Sequence, residues 1–444
     1  MDIREARSWL DAHVNLESTG LPAGADRRAA APTLARIEAL VRLLGSPQES
    51  YPVIHLTGTN GKTSAARMTS ALLVASGLSV GTYTSPHLEE VNERIVWNGE
   101  PADDATLAEL LSRIADVEAH LPDRPSYFEI LTAAALAWFS DVAVDLAVIE
   151  VGVGGTWDAT NVVDGRVAVV TNVSVDHVEY LGPTREGIAA DKAGIVKPGS
   201  TLVLGETDPA LAELFLDRGA ARVLKRSADF GVSGNRPAHA GRVADLFTPD
   251  ARYAGVYLPL HGAYQADNAA AALAAADSFL ERPLPEDVVT EAFGTVRSPG
   301  RLEVLGHAPL VLLDGAHNVA GAEALRAALA EEFPETPRTL VIGLLREKEP
   351  HEMLEALDAE HVAHLLCSRP PSPRALDPAR VAAAGADLGV DPARIETFDS
   401  VGDAVTRARE VTADDAQIVV TGSLYTVGAA RHVLVHPSAG GALH

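Results

Sequence analysis

One segment, VIHLTGTNGKTS at residues 53–64, constrains the fold of this chain more than any other. A short apolar run indicates a buried strand, which enters the turn Gly58-Thr59-Asn60-Gly61, and a helix follows from Lys62. In such a turn, glycines let backbone N–H groups curl around an anion, and the helix N-terminus adds the positive end of its dipole. The segment therefore predicts a phosphate-binding turn between a strand and a helix of an α/β sheet.

The side chains that follow the turn suit a nucleotide and its metal ion. Lys62 can reach β- and γ-phosphates, and the hydroxyl of Thr63 or Ser64 can bind Mg²⁺. The pattern departs from G-x-x-x-x-G-K-[ST], because Leu56 stands where the first glycine belongs. The alternative is a glycine-rich turn with a surface lysine, but the strand before it and the helix after it favour phosphate binding.

Short β-branched runs alternate with longer helical patterns along the chain, which is typical of a parallel sheet covered by helices. A second alternating series starts near residue 300, after the Pro/Gly stretch 297–301, and indicates a domain boundary there. We therefore expect two α/β domains, at 1–297 and 298–444. Residues 226–260, rich in Gly, Pro and polar residues, predict an irregular insertion or edge strands. Strands are predicted at 53–57, 146–151, 167–172, 310–313, 339–343, 361–366 and 417–421, and helices at 62–76, 128–138, 184–194, 265–280, 319–332, 378–388 and 401–410.

The charge balance limits the possible partners. The chain carries 61 acidic and 36 basic residues, a formal net charge of −25. Such a field repels nucleic acid and anionic lipid, so we expect neither as a partner. Only five of the basic residues are lysines, which makes each lysine a candidate for a specific role.

The cysteine content and the N-terminal sequence indicate a compartment. Cys367 is the single cysteine, so a disulfide framework and a cysteine-based zinc site are excluded, and a reducing environment fits. The N-terminal sequence MDIREARSWLDAHVN carries charges where a signal peptide needs an apolar core, and no run of about 18 apolar residues exists. We therefore expect a cytoplasmic protein.

Polar residues follow several predicted strands. Ligands gather at the carboxyl ends of strands in open α/β sheets, and Glu150 ends one such strand. Its carboxylate is a candidate ligand for the metal of a bound nucleotide, or a strand-end acid that faces water. His177 is a candidate metal ligand, phosphate contact or turn histidine, and Ser85 a candidate metal or phosphate contact.

Lys192, Asp314 and His317 each admit more than one interpretation. Lys192 can neutralise charge on a phosphate, or add CO₂ and become a carbamate that ligates metal, or simply interact with the dipole at a helix end. Asp314 and His317 follow a strand directly. They either face the nucleotide across a domain cleft or belong to a turn that caps the next helix.

Several motifs in a fixed order resemble those of the folylpolyglutamate synthase/dihydrofolate synthase family of the Mur ligase superfamily. The resemblance covers nearly the whole chain, and TSPHLEEVNERI together with LLDGAHN points to this branch rather than to the cell-wall ligases. The motifs are LTGTNGKTS, TSPHLEEVNERI, IEVGVGGTWDATNVV, VDHVEYLG, DKAGIVKPG, HGAYQADNAAAAL, SPGRLEV, LLDGAHNVAGA and VTGSLYTVG.

The resemblance implies a fold and an activity. The fold is an N-terminal P-loop ATPase domain of the Mur ligase central-domain type, built on a parallel sheet, followed by a smaller Rossmann-like C-terminal glutamate-ligase domain. The activity is ATP-dependent: a carboxylate of dihydropteroate or a folate attacks the γ-phosphate, and the amine of L-glutamate then attacks the acyl phosphate. Phosphoryl transfer of this kind needs positioning and charge neutralisation more than a protein nucleophile. Two domains that close over a cleft need no partner, so we expect a monomer.

The resemblance also implies roles for individual residues. Residues 58–63 would hold the ATP phosphates, with Lys62 on the β and γ oxygens, and Asn268 would meet the adenine. Two Mg²⁺ sites would use Ser85 and Glu150, with Thr63 or Ser64 nearby, and Glu150 with His177. Lys192 matches a lysine that is carbamylated in this family. Arg301, Asp314 and His317 would approach ATP and the incoming amino acid as the domains close.

The chain departs from the family pattern at two places. The usual GKGS is Gly61-Lys62-Thr63-Ser64 here, which leaves open which hydroxyl holds Mg²⁺. The usual AHNP ends in Val319, which removes no chemical group. Two alternative functions are a muramyl-peptide-type Mur ligase and a P-loop regulatory module without ligase activity. The first needs an N-terminal UDP-binding domain, whereas only about fifty residues precede the P-loop strand.

Overall fold

The computed structural model describes residues 1–20, 34–334 and 337–436. It divides into two compact units. The first unit comprises Met1–Arg236, Val243–Pro259 and Tyr264–Val296, and the second comprises Pro237–Arg242, Leu260–Ala263 and the chain from Arg297 onward. Sequence analysis did not anticipate the two short segments of the second unit. Within the described ranges, no helix has both the length and the apolar character that a membrane span requires.

The large sheet of the first unit is mainly parallel. Its strands are β1 (Val53–Thr57), β2 (Val80–Tyr83), β3 (Ile95–Trp97), β4 (Glu100–Pro101), β5 (Leu146–Glu150), β6 (Gly165–Val170), β7 (Thr201–Leu204) and β8 (Arg222–Lys225). They lie in the order β4-β3-β2-β5-β1-β6-β7-β8. The strands from β2 to β8 in this order pair in parallel, and β3 and β4 add an antiparallel edge.

The register of the central strands brings three loops to one edge of this sheet. In β1, Leu56 lies opposite Glu150 of β5, and Thr57 lies opposite Val170 of β6. Because the strands are parallel, the turn after β1 lies between the carboxyl ends of β5 and β6. Every residue of β1 is buried, including His55 and Thr57, so this strand lies in the interior of the sheet.

Helices cover this sheet, and one contact between them positions the phosphate-binding turn. The helices of the first unit are α1 (Ile3–Asp11), α2 (Leu16–Thr19), α3 (Leu34–Leu43), α4 (Lys62–Ala75), α5 (Asp104–Glu118), α6 (Tyr127–Asp141), α7 (Val178–Leu181), α8 (Arg185–Lys192), α9 (Pro209–Leu216), α10 (Tyr264–Leu280) and α11 (Glu286–Thr295). The alanines of α10 are buried, and α10 packs against α4. Short 3-10 helices occur at Pro47–Glu49, Val91–Arg94, Ala159–Val162, Ala193–Ile195, Ala359–His361 and Pro392–Arg394.

The region that sequence analysis described as an irregular insertion or edge strands contains a separate small sheet. Its strands are β9 (Gly231–Ala238), β10 (Gly241–Phe247) and β11 (Arg252–Leu258), in the order β11-β10-β9. The region therefore forms strands, but in a sheet of their own and not at an edge of the large sheet.

The second unit contains its own sheet, in the order β12-β13-β17-β14-β15-β16. All neighbours pair in parallel except β12, which pairs antiparallel with β13. The α/β class, with a parallel-sheet N-terminal part and a second α/β sheet after it, is confirmed. The elements are β12 (Glu303–His307), β13 (Leu310–Leu313), α12 (Val319–Glu332), β14 (Arg338–Ile342), α13 (Pro350–Ala356), β15 (His364–Ser368), α14 (Pro378–Asp387), β16 (Ile395–Phe398), α15 (Val401–Val411), β17 (Gln417–Thr421) and α16 (Leu424–Val435).

A charged cluster fastens the two short segments of the second unit to the end of α12. Arg242 is 1 % exposed, and its guanidinium lies 2.8 Å from a carboxylate oxygen of Glu331 and 2.5 Å from one of Glu332. The Glu332 carboxylate also lies 2.6 Å from Nδ1 of His261 and accepts the Gly262 N–H at 2.7 Å. The side chains of Arg242 and Glu332 are both buried, and each neutralises the charge of the other. Burial of either charge alone would destabilise the fold.

Candidate active site

The turn after β1 has the backbone geometry that an anion site needs. Gly58 has φ +154° and Gly61 has φ +84°, and both values lie in the region that favours glycine. A Cβ at Gly58 would overlap Oγ1 of Thr171, so only glycine fits there. Gly61 is the N-cap of α4 and contributes no side-chain cap, so the helix begins with its backbone amides at the turn.

The loop after β6 holds this turn in place through reciprocal hydrogen bonds. The Asn60 N–H donates to Oδ1 of Asn172 at 3.0 Å, and Nδ2 of Asn172 donates to the Asn60 carbonyl at 2.9 Å. Likewise, Oγ1 of Thr59 donates to the Ser174 carbonyl at 3.0 Å and accepts the Ser174 N–H at 2.9 Å. Sequence analysis missed Asn172 and Ser174 as site residues. The available signal was a run of polar residues directly after a strand that flanks β1.

Two lysines meet at a single carbonyl of the turn. Nζ of Lys62 donates to the Gly58 carbonyl at 3.0 Å and to the Thr59 carbonyl at 3.2 Å. Nζ of Lys192, the last residue of α8, donates to the same Gly58 carbonyl at 2.7 Å. Burial, together with the nearby Lys62 ammonium, lowers the pKa of Lys192 to about 7. A substantial fraction of Lys192 is therefore neutral at physiological pH.

The side chains of Thr63 and Glu150 and the backbone of Ser85 meet beside the start of α4. Oγ1 of Thr63 donates to Oε1 of Glu150 at 2.9 Å, and the Ser85 N–H donates to Oε2 of the same carboxylate at 3.2 Å. Glu150 is 1 % exposed. Oγ of Ser85 is buried without a hydrogen-bond partner. Buried hydroxyls are normally satisfied, so this oxygen is suited as a ligand for a bound cation. Ser64 is buried on the next position of α4.

The oxygen donors of this cluster fit a hard divalent cation. Mg²⁺ prefers oxygen ligands and is usually held by one or two carboxylates together with substrate phosphates. Glu150, Thr63 and Ser85 supply such oxygens next to the phosphate-binding turn. The set therefore suits the metal of a bound nucleotide.

His177 lies on the loop between β6 and α7. It is the N-cap of α7 with φ +49°, and its backbone N–H donates to Oδ1 of Asp176 at 2.8 Å. Its ring lies 4.0 Å from an Asp176 carboxylate oxygen and 3.9 Å from one of Glu179. The imidazole is partly exposed and has two carboxylates nearby, an environment that suits a cation.

Asn268 of α10 lies against the phosphate-binding turn. A Cβ at Gly61 would overlap Oδ1 of Asn268, and Nδ2 of Asn268 donates to Oε1 of Gln265 at 3.0 Å. Nε2 of Gln265 is buried without a hydrogen-bond partner. The pair therefore presents amide groups within the first unit, close to the N-terminus of α4.

In the second unit, the other three candidates lie together at the end of β13. Asp314 accepts the Leu302 N–H at 2.8 Å and the Ala316 N–H at 2.9 Å. Burial raises the pKa of Asp314, and the neighbouring Arg301 guanidinium opposes this effect. Nδ1 of His317 lies 2.8 Å from the Gly315 carbonyl. The N-cap of α12 is Asn318, so Asp314 is not the residue that caps this helix.

Comparisons with known proteins identify the family. Residues 56–276 match the Mur ligase middle domain, and residues 300–424 match the Mur ligase glutamate ligase domain. A dihydrofolate synthase/folylpolyglutamate synthase of Mycobacterium tuberculosis is 41 % identical over 438 residues, which cover 90 % of this chain and 89 % of that protein. The chain belongs to the folylpolyglutamate synthase/dihydrofolate synthase family of Mur ligases.

Other members of the folylpolyglutamate synthase/dihydrofolate synthase family agree in sequence and fold. The folylpolyglutamate synthase of Lacticaseibacillus casei is 35 % identical, with 90 % of this chain and 94 % of that protein covered. The M. tuberculosis folylpolyglutamate synthase complexed with ADP superposes with a TM-score of 0.90 at 39 % identity, over 97 % of this chain and 98 % of that one. A folylpolyglutamate synthase complex with AMPPCP and folate superposes with a TM-score of 0.83 at 32 % identity, over 98 % of this chain and 100 % of that one.

Proposed function

We propose that this protein is an ATP-dependent ligase that adds L-glutamate to dihydropteroate, to reduced folates, or to both. One observation carries the proposal: the phosphate-binding turn lies beside an oxygen cluster in which the buried Ser85 hydroxyl has no hydrogen-bond partner. Family membership gives this site its substrates, since relatives are described as complexes with ADP, AMPPCP and folate.

The first step needs groups that hold ATP and screen its charge. A carboxylate of the folate substrate attacks the γ-phosphorus, the bond to the bridging oxygen breaks, and ADP leaves with that electron pair. We assign residues 58–63 to the phosphates, because the turn and the N-terminus of α4 present backbone amides there. The ammonium of Lys62 screens the β and γ oxygens, and Asn268 contacts the adenine. Positioning and charge screening account for most catalysis of phosphoryl transfer.

The oxygen atoms of Ser85, Glu150 and Thr63 would bind the metal of the nucleotide. We assign Ser85, Glu150 and Thr63 to a first Mg²⁺ site. Thr63 is preferred over Ser64 because its hydroxyl already contacts the Glu150 carboxylate. A second site would use Glu150 and His177. A bound Mg²⁺ would neutralise developing charge on the transferred phosphoryl group.

We also propose that Lys192 is carbamylated. Its neutral amine adds to CO₂ and loses one proton, which turns a cationic side chain into an anionic carboxylate at the same position. The support is the burial of Lys192 and its pKa of about 7. Only the neutral form of an amine can attack CO₂.

The second step forms the amide. The α-amine of L-glutamate attacks the acyl phosphate, the C–O bond to phosphate breaks, and inorganic phosphate leaves. We assign Arg301, Asp314 and His317 to ATP and the incoming amino acid, because they cluster at a strand end of the second unit. In this assignment residues 1–297 bind ATP and residues 298–444 serve glutamate ligation. We propose that the enzyme acts as a monomer in the cytoplasm.

The test is phosphate release by purified protein, measured with ATP and Mg²⁺ in three parallel reactions. The reactions contain L-glutamate with dihydropteroate, L-glutamate with tetrahydrofolate, or L-glutamate alone. We expect release that requires both glutamate and at least one pteridine acid, with the product identified by mass. Phosphate release that requires a muramyl-peptide acceptor instead would contradict the proposal. Nucleotide hydrolysis at a rate independent of every acceptor would contradict it as well.

A further inference from the structure

The loop that carries Ser85 is fixed by a buried arginine that no part of the proposed mechanism uses. Arg94 ends the 3-10 helix Val91–Arg94 and is 2 % exposed. Its backbone carbonyl accepts the Thr84 N–H at 3.0 Å, and its Nε donates to Nδ1 of His87 at 2.9 Å. Arg94 therefore binds the chain on both sides of Ser85.

The other end of the guanidinium reaches the N-terminal part of the chain. Nη1 and Nη2 of Arg94 donate to the two carboxylate oxygens of Glu17, on α2, at 3.0 and 2.5 Å. The guanidinium also lies 5.6 Å from the ring centroid of Tyr127, at the start of α6. A planar guanidinium fixes the direction as well as the distance of such contacts, which an ammonium cannot do.

The segment between His87 and Arg94 is itself tied together. The backbone N–H groups of Leu88, Glu89 and Glu90 donate to the Glu93 carboxylate at 2.8 to 2.9 Å. The Glu93 carboxylate therefore ties the backbone of residues 88–90 to the 3-10 helix that ends at Arg94. This loop leads back to Ser85, whose N–H contacts Glu150 and whose Oγ is the unpartnered oxygen of the cluster.

We propose that Arg94, held between Glu17 and His87, is a positioning residue that orients the Ser85 hydroxyl toward the nucleotide's metal. Through Glu17, it also links this orientation to the N-terminal segment. The inference rests on the metal site of the proposed function. A polar partner around a metal ligand commonly changes metal affinity by about 10- to 100-fold when it is removed. Loss of the contacts of Arg94 should weaken nucleotide binding in the presence of Mg²⁺ and leave nucleotide binding without Mg²⁺ unchanged.

The experiment measures the dissociation constant of AMPPCP by calorimetry, with Mg²⁺ and with EDTA. His87→Ala removes the acceptor of Arg94 Nε, whereas His87→Asn restores an acceptor oxygen at the δ1 position. Glu17→Gln disturbs the same guanidinium from its other end. His120→Ala is the matched control, because His120 is exposed in the same unit. Thermal unfolding of every variant reports its folded state.

We expect His87→Ala and Glu17→Gln to raise the constant measured with Mg²⁺ by about 10-fold and to leave the EDTA value unchanged. His87→Asn and His120→Ala should match the wild type. Equal values for wild type and both perturbing variants, or equal weakening with and without Mg²⁺, would overturn the inference. Equal AMPPCP affinity of the wild type with Mg²⁺ and with EDTA would also overturn it. None of these readouts requires turnover, so failure of glutamate-dependent phosphate release would count against the ligase proposal alone.

Discussion

Carbamylation of Lys192 predicts a steep dependence of activity on CO₂ and pH. The side chain is 4 % exposed, and burial and the Lys62 ammonium lower its pKa from 10.5 to about 7. At pH 7 about half of Lys192 is then neutral, against about 0.03 % for an ordinary lysine, so the amine that attacks CO₂ is about 10³-fold more abundant. The neutral fraction falls as pH decreases, from about one half at pH 7 to about one tenth at pH 6.

The assay follows from these fractions. Enzyme depleted of CO₂ should lose glutamate-dependent phosphate release and regain it on addition of CO₂, about five times more slowly at pH 6 than at pH 7. Incubation with ¹³CO₂ should give one carbamate signal by NMR. Lys192→Ala should remove both the signal and the activity, and short carboxylic acids should restore part of the activity.

Lys225 provides the control for Lys192, because it is an exposed lysine at the end of β8. Lys225→Ala should retain the CO₂ response and the NMR signal of the wild type. Full activity in Lys192→Ala, or wild-type activity that is indifferent to CO₂ with no carbamate signal, would refute the reasoning.

Four further substitutions test the site and the core. Lys62→Ala and Glu150→Gln should each lower glutamate-dependent phosphate release by about 100-fold or more, because the first removes the ammonium that screens the phosphates and the second removes a ligand of the Mg²⁺ that does so; circular dichroism checks that the fold is intact. Gly61→Ala should weaken ADP binding by about 10-fold, since its left-handed φ and the overlap with Asn268 strain the turn; equal binding by calorimetry would contradict this. Phe139→Ala, at a fully buried position, should lower the free energy of unfolding by about 3–5 kcal/mol in urea titration; a change under about 1 kcal/mol would contradict it.

The sequence predicted best those elements whose pattern is local. The strand at 53–57 matches β1, and the helix at 319–332 matches α12 residue for residue. A short, mainly apolar run before a glycine-rich turn predicts such a strand, and a capping residue predicts such a helix start. The edge strands β3 and β4 were not predicted, because they are two or three residues long and partly exposed. The pairing of β3 with β2, and of β4 with β3, is a tertiary contact that no local pattern encodes.

The same distinction applies to the candidate site. Lys62 and Thr63 belong to one local motif, so the sequence alone predicted a phosphate-binding turn. The support of that turn by Asn172, by contrast, joins residues 112 positions apart. It depends on the register of β1 against β6, which the sequence does not reveal. Arg94 was likewise visible only as part of a family motif, since its partner Glu17 is 77 positions away.

The charged cluster around Arg242 has a consequence for how such proteins recombine. The chain enters the second unit through two short segments before it stays there from Arg297 onward. A hybrid of two relatives joined near residue 297 would take Arg242 and His261 from one parent and Glu332 from the other. An unmatched carboxylate would then be left in a buried position. Exchange of the glutamate-ligase domain between family members should therefore succeed only when these positions are transferred together.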